Sequence, residues 1–227
     1  MITIAIDGFA GTGKSSTAKA VAGILGFTYV DTGAMYRAIT MYLLDHKIPL
    51  IDKSDELRAA LNQVDLRFRP CDEGTSRCIC INGVNAEPAI REQRITASVS
   101  QVAALTDVRH KLVEQQRAIG RTGGIVMDGR DIGTYVFPEA ELKIFMTASV
   151  EVRARRRQAE LRTKGIEVSL QDILINLETR DRIDSGREMA PLAQAQDAVV
   201  IDSTDLSFEE QVSAVVFLAK QKLAHIQ

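Results

Sequence analysis

No apolar run in this 227-residue chain approaches the ~20 residues that a membrane-spanning helix needs. The longest, such as residues 2–6, are strand-sized, so no membrane partner is expected. Positive charge is not in excess: 28 Lys and Arg stand against 30 Asp and Glu, a net of −2. The chain therefore lacks the electrostatic footprint of a nucleic-acid binder, and nucleic acid is not an expected partner. The N-terminus lacks the charged start and apolar middle of a secretory leader and enters a strand at once, so a cytoplasmic location is expected. Cysteine is scarce, with only Cys71, Cys78 and Cys80. Tetrahedral zinc would need a fourth ligand that His46, His110 and His225 are not spaced to supply, so reduced strand cysteines and no metal in that segment are expected. Repeats, low-complexity stretches and a long heptad seam are also missing, and a monomer is expected.

What is present is ordinary for a folded domain. The chain is 45% hydrophobic and 26% charged, and a chain this long buries roughly 70% of its unfolded surface without a covalent staple. A strand over residues 2–6 runs into a glycine-rich turn, after which Ala18, Val21, Ala22 and Leu25 recur with helical period up to Gly26. Residues 27–30 form a second strand ending at Asp31, and Met35, Ile39, Tyr42 and Leu43 mark a helix to about Asp45. Residues 51–88 turn polar, with extended candidates at 64–68 and 77–81 and turn chemistry at Asn82-Gly83, which reads as a small inserted β subdomain. Helices are expected from near Arg91 and from the cap candidate Thr106 to about Arg121. Strand 125–127 ends on Asp128, and strand 142–146 precedes polar helices at 150–163 and 170–182, the second opened by a Ser169-x-x-Asp172 box. A strand at 198–201 and a helix capped by Ser207-x-x-Glu210 close the chain. Apolar strands alternating with helices indicate an α/β fold with a parallel sheet, whose ligands sit at the strands' carboxyl ends.

One motif there is specific. Gly8-Phe9-Ala10-Gly11-Thr12-Gly13-Lys14-Ser15 satisfies G-x-x-x-x-G-K-[ST] in full and lies between a strand and a helix, the context a P-loop requires. Glycines let backbone N–H groups curl around a polyphosphate at the positive end of a helix. Lys14 adds a point charge, Ser15 offers a hydroxyl to Mg2+, and Ser16 or Thr17 can donate to a phosphate. The guanine-reading N-K-x-D is absent, and so is the D-x-x-G of a GTPase. Asp128 reads either as a Walker-B-type acid on Mg2+ or as an acid capping the following turn.

Three further clusters combine arginine with a short acid: Asp31-Thr32-Gly33-Ala34-Met35-Tyr36-Arg37, Asp128-Gly129-Arg130-Asp131, and Arg180 with Asp184 and Arg187 at i, i+4, i+7. Guanidinium forks suit phosphate oxygens, and carboxylates suit sugar hydroxyls or an exocyclic amine, so the set suits a nucleoside monophosphate. Arg153, Arg156 and Arg157 share one helical face by spacing, either to converge on phosphates or as a solvated surface.

Over nearly its full length, on these blocks together with Ser100-Gln101-Val102-Ala103, Ile132-Gly133-Thr134 and Ala190-Pro191-Leu192, the chain resembles the bacterial cytidylate kinases of the nucleoside monophosphate kinase family. The resemblance implies a single P-loop kinase domain over 1–227 with sheet order 2-3-1-4-5, an enlarged monophosphate-binding region at 38–103 and a lid at 149–187. It implies Thr32, Ser100, Arg109 and Asp131 around a cytosine, with Tyr36 among the substrate-binding residues. It further implies Arg37, Arg130 and Arg187 on the acceptor phosphate, and Arg180 and Asp184 at the sugar. ATP would be the donor and CMP or dCMP the acceptor, with UMP or dTMP as the alternative. Lys14, Arg130, Arg153, Arg156, Arg157 and Arg187 would neutralise the transferring group, with Ser15 and Asp128 at Mg2+. Two positions depart from the family pattern: Thr32 stands where many relatives have Ser, and Ser15 where Gly is common.

Overall fold

The computed structural model describes residues 1–71, 77–163 and 165–224. His225 lies outside the described residues, as do 72–76 within the expected 38–103 region and Lys164 within the expected 149–187 lid. The chain divides into two compact units, one of Met1–Asp31 with Arg117–Gln227 and one of Thr32–Gln116.

The first unit is built on a parallel sheet of β1 (Thr3–Gly8), β2 (Thr28–Asp31), β6 (Ile125–Gly129), β7 (Leu142–Thr147) and β8 (Val199–Asp202), in the spatial order β2-β6-β1-β7-β8. Counting these five strands alone, that is the expected 2-3-1-4-5. Ile4 and Ile6 of β1, with Ile2 just ahead of it, alternate and so point to one face, where they join Val21 and Ala22 of α1 (Lys14–Leu25) and Val212 and Val215 of α8 (Phe208–Ala224) in one core. The register sets Asp31 beside Asp128, Asp7 beside Gly129 and Gly8 beside Met146, so the polar strand ends share one edge of the sheet. Helix α1 stops where expected, at Gly26 with φ 68°. The closing helix α8 starts with the expected reciprocal box: Ser207 N–H donates to Glu210 Oε2 at 2.8 Å, and Glu210 N–H to Ser207 Oγ at 3.2 Å. After β6 comes a π turn over Ile132–Val136 that the sequence pattern had not indicated. Helices α6 (Val150–Thr163) and α7 (Leu170–Gly186) pack through Ala154, Ile173 and Leu177 onto Ala10 of the glycine-rich loop. Among the described residues no helix is long and apolar enough to cross a membrane.

The second unit contains α2 (Thr32–Asp45), α3 (Asp55–Asn62), the antiparallel sheet β3 (Leu66–Pro70), β4 (Arg77–Ile81), β5 (Val84–Asn85), helix α4 (Gln93–Ala104) and most of α5 (Thr106–Gly120). Three features differ from expectation. The polar stretch after residue 51 holds helix α3, capped by Ser54 Oγ accepting from Leu57 N–H at 3.2 Å and buried through Leu57, Ala60 and Leu61, an i, i+3, i+4 stripe hidden among polar residues. Thr106, expected as a cap, is the first residue of α5. Cys71 and Cys78 are not both reduced: they form a disulfide across 5.2 Å between Cα atoms, because antiparallel pairing of β3 with β4 folds residues seven apart back on each other. Cys80 is free and buried. Asn82 and Gly83, with φ 50° and 86°, make the tight turn between β4 and β5 that their chemistry indicated.

Candidate active site

The glycine-rich loop leaves β1 at Gly8, where φ is 143° and a Cβ would collide with the Met146 carbonyl of the neighbouring strand. Gly13, at φ 92°, stands at the N-cap of α1 with no side chain capping the helix and no acid in its first turn. The first amides of α1 are thus presented to an anion. A Cβ on Gly13 would lie 2.8 Å from Gln211 Oε1, an atom that also accepts from Thr17 Oγ1 at 3.3 Å. Within the loop, Thr12 Oγ1 and Lys14 Nζ both donate to the Phe9 carbonyl, at 3.1 and 2.7 Å.

Lys14 is only 4% exposed. Burial lowers its pKa, and the Arg130 guanidinium lowers it further, while Asp128 and Asp7 act in the opposite sense. Ser15 Oγ donates to Asp128 Oδ2 at 2.7 Å, and the Tyr29 hydroxyl donates to Oδ1 at 2.9 Å. Burial and then Asp31 raise the Asp128 pKa. Burial, followed by Asp128, raises that of Tyr29. A hydroxyl and a carboxylate in contact beside the head of α1 are hard oxygen donors of the type magnesium selects, so Ser15 and Asp128 are the residues that would hold that ion. Tyr29 carries no motif and was not singled out from the sequence.

The arginines of α6 do not share one direction. Arg153, 6% exposed, donates from Nε to Ala148 O at 3.0 Å and from one terminal nitrogen to Ala10 O at 3.1 Å and Asp181 Oδ2 at 2.6 Å. Its guanidinium lies 5.3 Å from the Phe9 ring centroid. It is neither a solvated surface residue nor aligned with its two neighbours: it braces the loop backbone. Arg156 donates to Ser203 Oγ and O at 3.1 and 2.6 Å, and the Ser203 hydroxyl lies 2.9 Å from Thr12 O. Arg157 pairs with Glu160 at 2.7 Å. Ser203 and Asp181 went unnoticed in the sequence because their partners are distant along the chain.

At the end of α7, Asp184 Oδ2 accepts from Arg130 Nε at 3.0 Å. Burial opposes the Asp184 charge, but Arg130, Arg187 and Arg180 outweigh it and lower the pKa. Burial likewise opposes the Arg130 charge, and Asp184 more than restores it. Arg180 is lowered to about 10 by burial and by Arg130. Its buried Nε makes no hydrogen bond among the described residues. Helix α7 reaches Gly186, so Arg180 and Asp184 share a face while Arg187, extended at the C-cap, donates to Ala190 O at 3.1 Å.

Asp131, 4% exposed, precedes the π turn. The turn's Ile132 and Gly133 amides donate to Asp7 Oδ1 and Oδ2 at 2.8 and 2.7 Å. Burial pushes the Asp7 pKa up to about 7, against these two amides, which favour the charged form. Asp7, which lies in the Ile6-Asp7-Gly8 segment that resembles the family, was given no role from the sequence, although an acid inside an apolar strand was a visible signal.

In the second unit, Thr32 and Tyr36 lie one turn apart on α2, and both are buried. Arg37 reaches α4, donating to Thr96 Oγ1 at 2.8 Å and to Ile90 O at 3.2 Å. Ser100 is buried on α4. Arg109 on α5 is fully buried, donates to Ala103 O at 3.3 Å and lies 5.7 Å from the Tyr36 ring centroid. A separate open cavity of about 460 Å³, between α2 and the β4–β5 hairpin, is lined by Tyr42, His46 and Asn82 among others and by none of the candidate residues.

Residues 4–221 match the family model for cytidylate kinase. The chain belongs to the cytidylate kinase family. It is 50% identical over 216 residues to a cytidylate kinase of Parabacteroides distasonis, covering 92% of this chain and 93% of that one. A cytidylate kinase of Bacteroides thetaiotaomicron is 49% identical over the same shares of each chain. One of Cytophaga hutchinsonii is 44% identical over 100% of this chain and 96% of its own.

Proposed function

We propose that the chain transfers the γ-phosphoryl group of ATP to CMP or dCMP, giving the nucleoside diphosphate and ADP. The observation that carries this reading is geometric: the glycine-rich loop leaves the N-terminus of α1 uncapped beside the buried Lys14, with Arg130 and Arg180 near enough to lower the Lys14 pKa although Asp128 and Asp7 act in the opposite sense. Like charges crowded out of water repel, and polyanions offset that repulsion, so the arrangement suits two phosphate-bearing ligands meeting end to end. Family membership supplies the donor as ATP and the acceptor as a pyrimidine nucleotide.

In this reading the loop amides of residues 8–16 and Lys14 hold the donor phosphates. Arg37, Arg130 and Arg187 take the acceptor phosphate, and Arg180 and Asp184 the sugar. Thr32, Tyr36, Ser100, Arg109 and Asp131 surround the base. Cytosine offers an N4 amine to the Asp131 carboxylate and an N3/O2 edge to Arg109, whereas uracil turns an oxygen toward Asp131. Arg153 acts by bracing Ala10, and Arg156 and Arg157 are the lid arginines left to approach the phosphates. Ser15 and Asp128 would hold Mg2+, which would supply neutralising charge to the donor phosphates. The acceptor is already an ionised phosphate, so no general base is required, and these side chains align the two phosphates, exclude water and offset charge. Residues 38–103 serve as the acceptor-binding region, 149–187 as the lid, and the chain works as a monomer.

A coupled assay of ADP release with ATP and Mg2+ over CMP, dCMP, UMP, dTMP and AMP tests the reading. The largest kcat/KM belongs to CMP or dCMP; a larger value for any other acceptor refutes it.

A further inference from the structure

The phosphate and base contacts proposed above leave Asp7 without a role, yet it is 4% exposed and both of its oxygens are engaged. We propose that Asp7 is a positioning residue for acceptor specificity: from the end of β1 it caps the π turn after Asp131, so that the Asp131 carboxylate serves the nucleobase and not its own turn. The inference rests on the reading of Asp131 as the acceptor for the cytosine N4 amine.

The first amides of any helical turn lack partners within it. An Asp at the N-cap normally folds its own carboxylate back onto the amides two and three residues on. Asp131 stands at that position with φ −147° and makes no such bond. Its carbonyl instead starts the turn, accepting from Tyr135 N–H at 2.9 Å and Val136 N–H at 3.1 Å. The capping comes from 125 and 126 residues away, through the paired Asp7 oxygens on Ile132 and Gly133. Sheet register sets Asp7 beside Gly129, directly ahead of Arg130 and Asp131. The fit at the second amide is close: a Cβ on Gly133 would lie 3.1 Å from Lys143 Cδ and 3.4 Å from Asp7 Oδ2. Without the Asp7 carboxylate, the Gly133 amide would lose its acceptor and become a capping target for Asp131 itself, which would draw that side chain away from a base.

The test measures kcat/KM for CMP and UMP with the full chain as wild type, Asp7→Asn, Asp7→Ala, Asp131→Ala and the Asp7→Ala/Asp131→Ala double variant. Asp131→Ala should lower the CMP:UMP ratio by about 10–100-fold, the value of a well-placed base contact. Asp7→Ala should lower it nearly as far, and Asp7→Asn, which keeps one acceptor oxygen, by about 3–10-fold. The double variant should fall no lower than Asp131→Ala, because Asp7 acts through Asp131. A ratio unchanged in both Asp7 variants while Asp131→Ala lowers it overturns the positioning role. A ratio unchanged in Asp131→Ala overturns the base-reading role, and the inference with it. Where Asp7→Ala does not fold, Gly133→Ala takes its place: its methyl presses on Asp7 Oδ2 and Lys143 and should lower the ratio, and an unchanged ratio there and in Asp7→Asn overturns the proposal.

Discussion

Replacing Arg153 separates a brace from a phosphate ligand. Its guanidinium and Asp181 have side chains 7% and 15% exposed and meet at 2.6 Å, and the same group satisfies the carbonyls of Ala10 and Ala148. Arg153→Ala strands a buried carboxylate and removes donors from two carbonyls, a loss of about 3–5 kcal/mol for breaking such a pair. In a chain of this size that corresponds to a melting temperature lower by about 6–20 °C. Arg153→Lys keeps a cation near Asp181 but loses the planar fork that spans strand end, loop and α7, so about 1–2 kcal/mol should go. Thermal melts and urea titrations of the nucleotide-free chain measure both. If Arg153→Ala melts with wild type while turnover collapses, the residue is a phosphate ligand and the bracing argument is wrong.

Lys14→Ala should nearly abolish phosphoryl transfer while calorimetry still detects CMP binding, since Lys14 belongs to the donor loop; turnover near wild type would refute its role. The pH dependence of stability should carry an Asp7 signature. Its folded-state pKa of about 7 stands above the ordinary 3.8, so the folded chain keeps a proton that the unfolded chain releases. That contribution to stability is fully present below about pH 4 and is lost as pH rises through about 7, a swing on the order of 4 kcal/mol. The stability of Asp7→Asn relative to wild type should therefore shift in the variant's favour as pH rises from about 4 to about 7 in urea titrations, whereas parallel curves would contradict the sign.

Local chemistry was readable without coordinates wherever a few adjacent residues decide it. The phosphate loop is a contiguous run whose glycines dictate their own backbone, and Gly26, Asn82-Gly83 and the Ser207–Glu210 box end or open elements through bonds to near neighbours. The alternation of apolar strands and helices was enough for a parallel sheet, because right-handed crossovers leave few topologies open, whereas its strand order came from the resemblance to the family. Helix α3 was legible in principle, but its short apolar stripe is diluted by polar residues.

Tertiary structure alone decided the pairings between residues far apart in sequence. Arg153 shares helical spacing with Arg156 and Arg157, yet packing of α6 and α7 on Ala10 turns it inward to the loop. The Cys71–Cys78 bond depends on the β3–β4 register, and the Asp7 contacts with Ile132 and Gly133 depend on β1 lying beside β6. A motif records which groups a segment offers; only the folded sheet brings an acid from one strand within 3 Å of amides more than a hundred residues on.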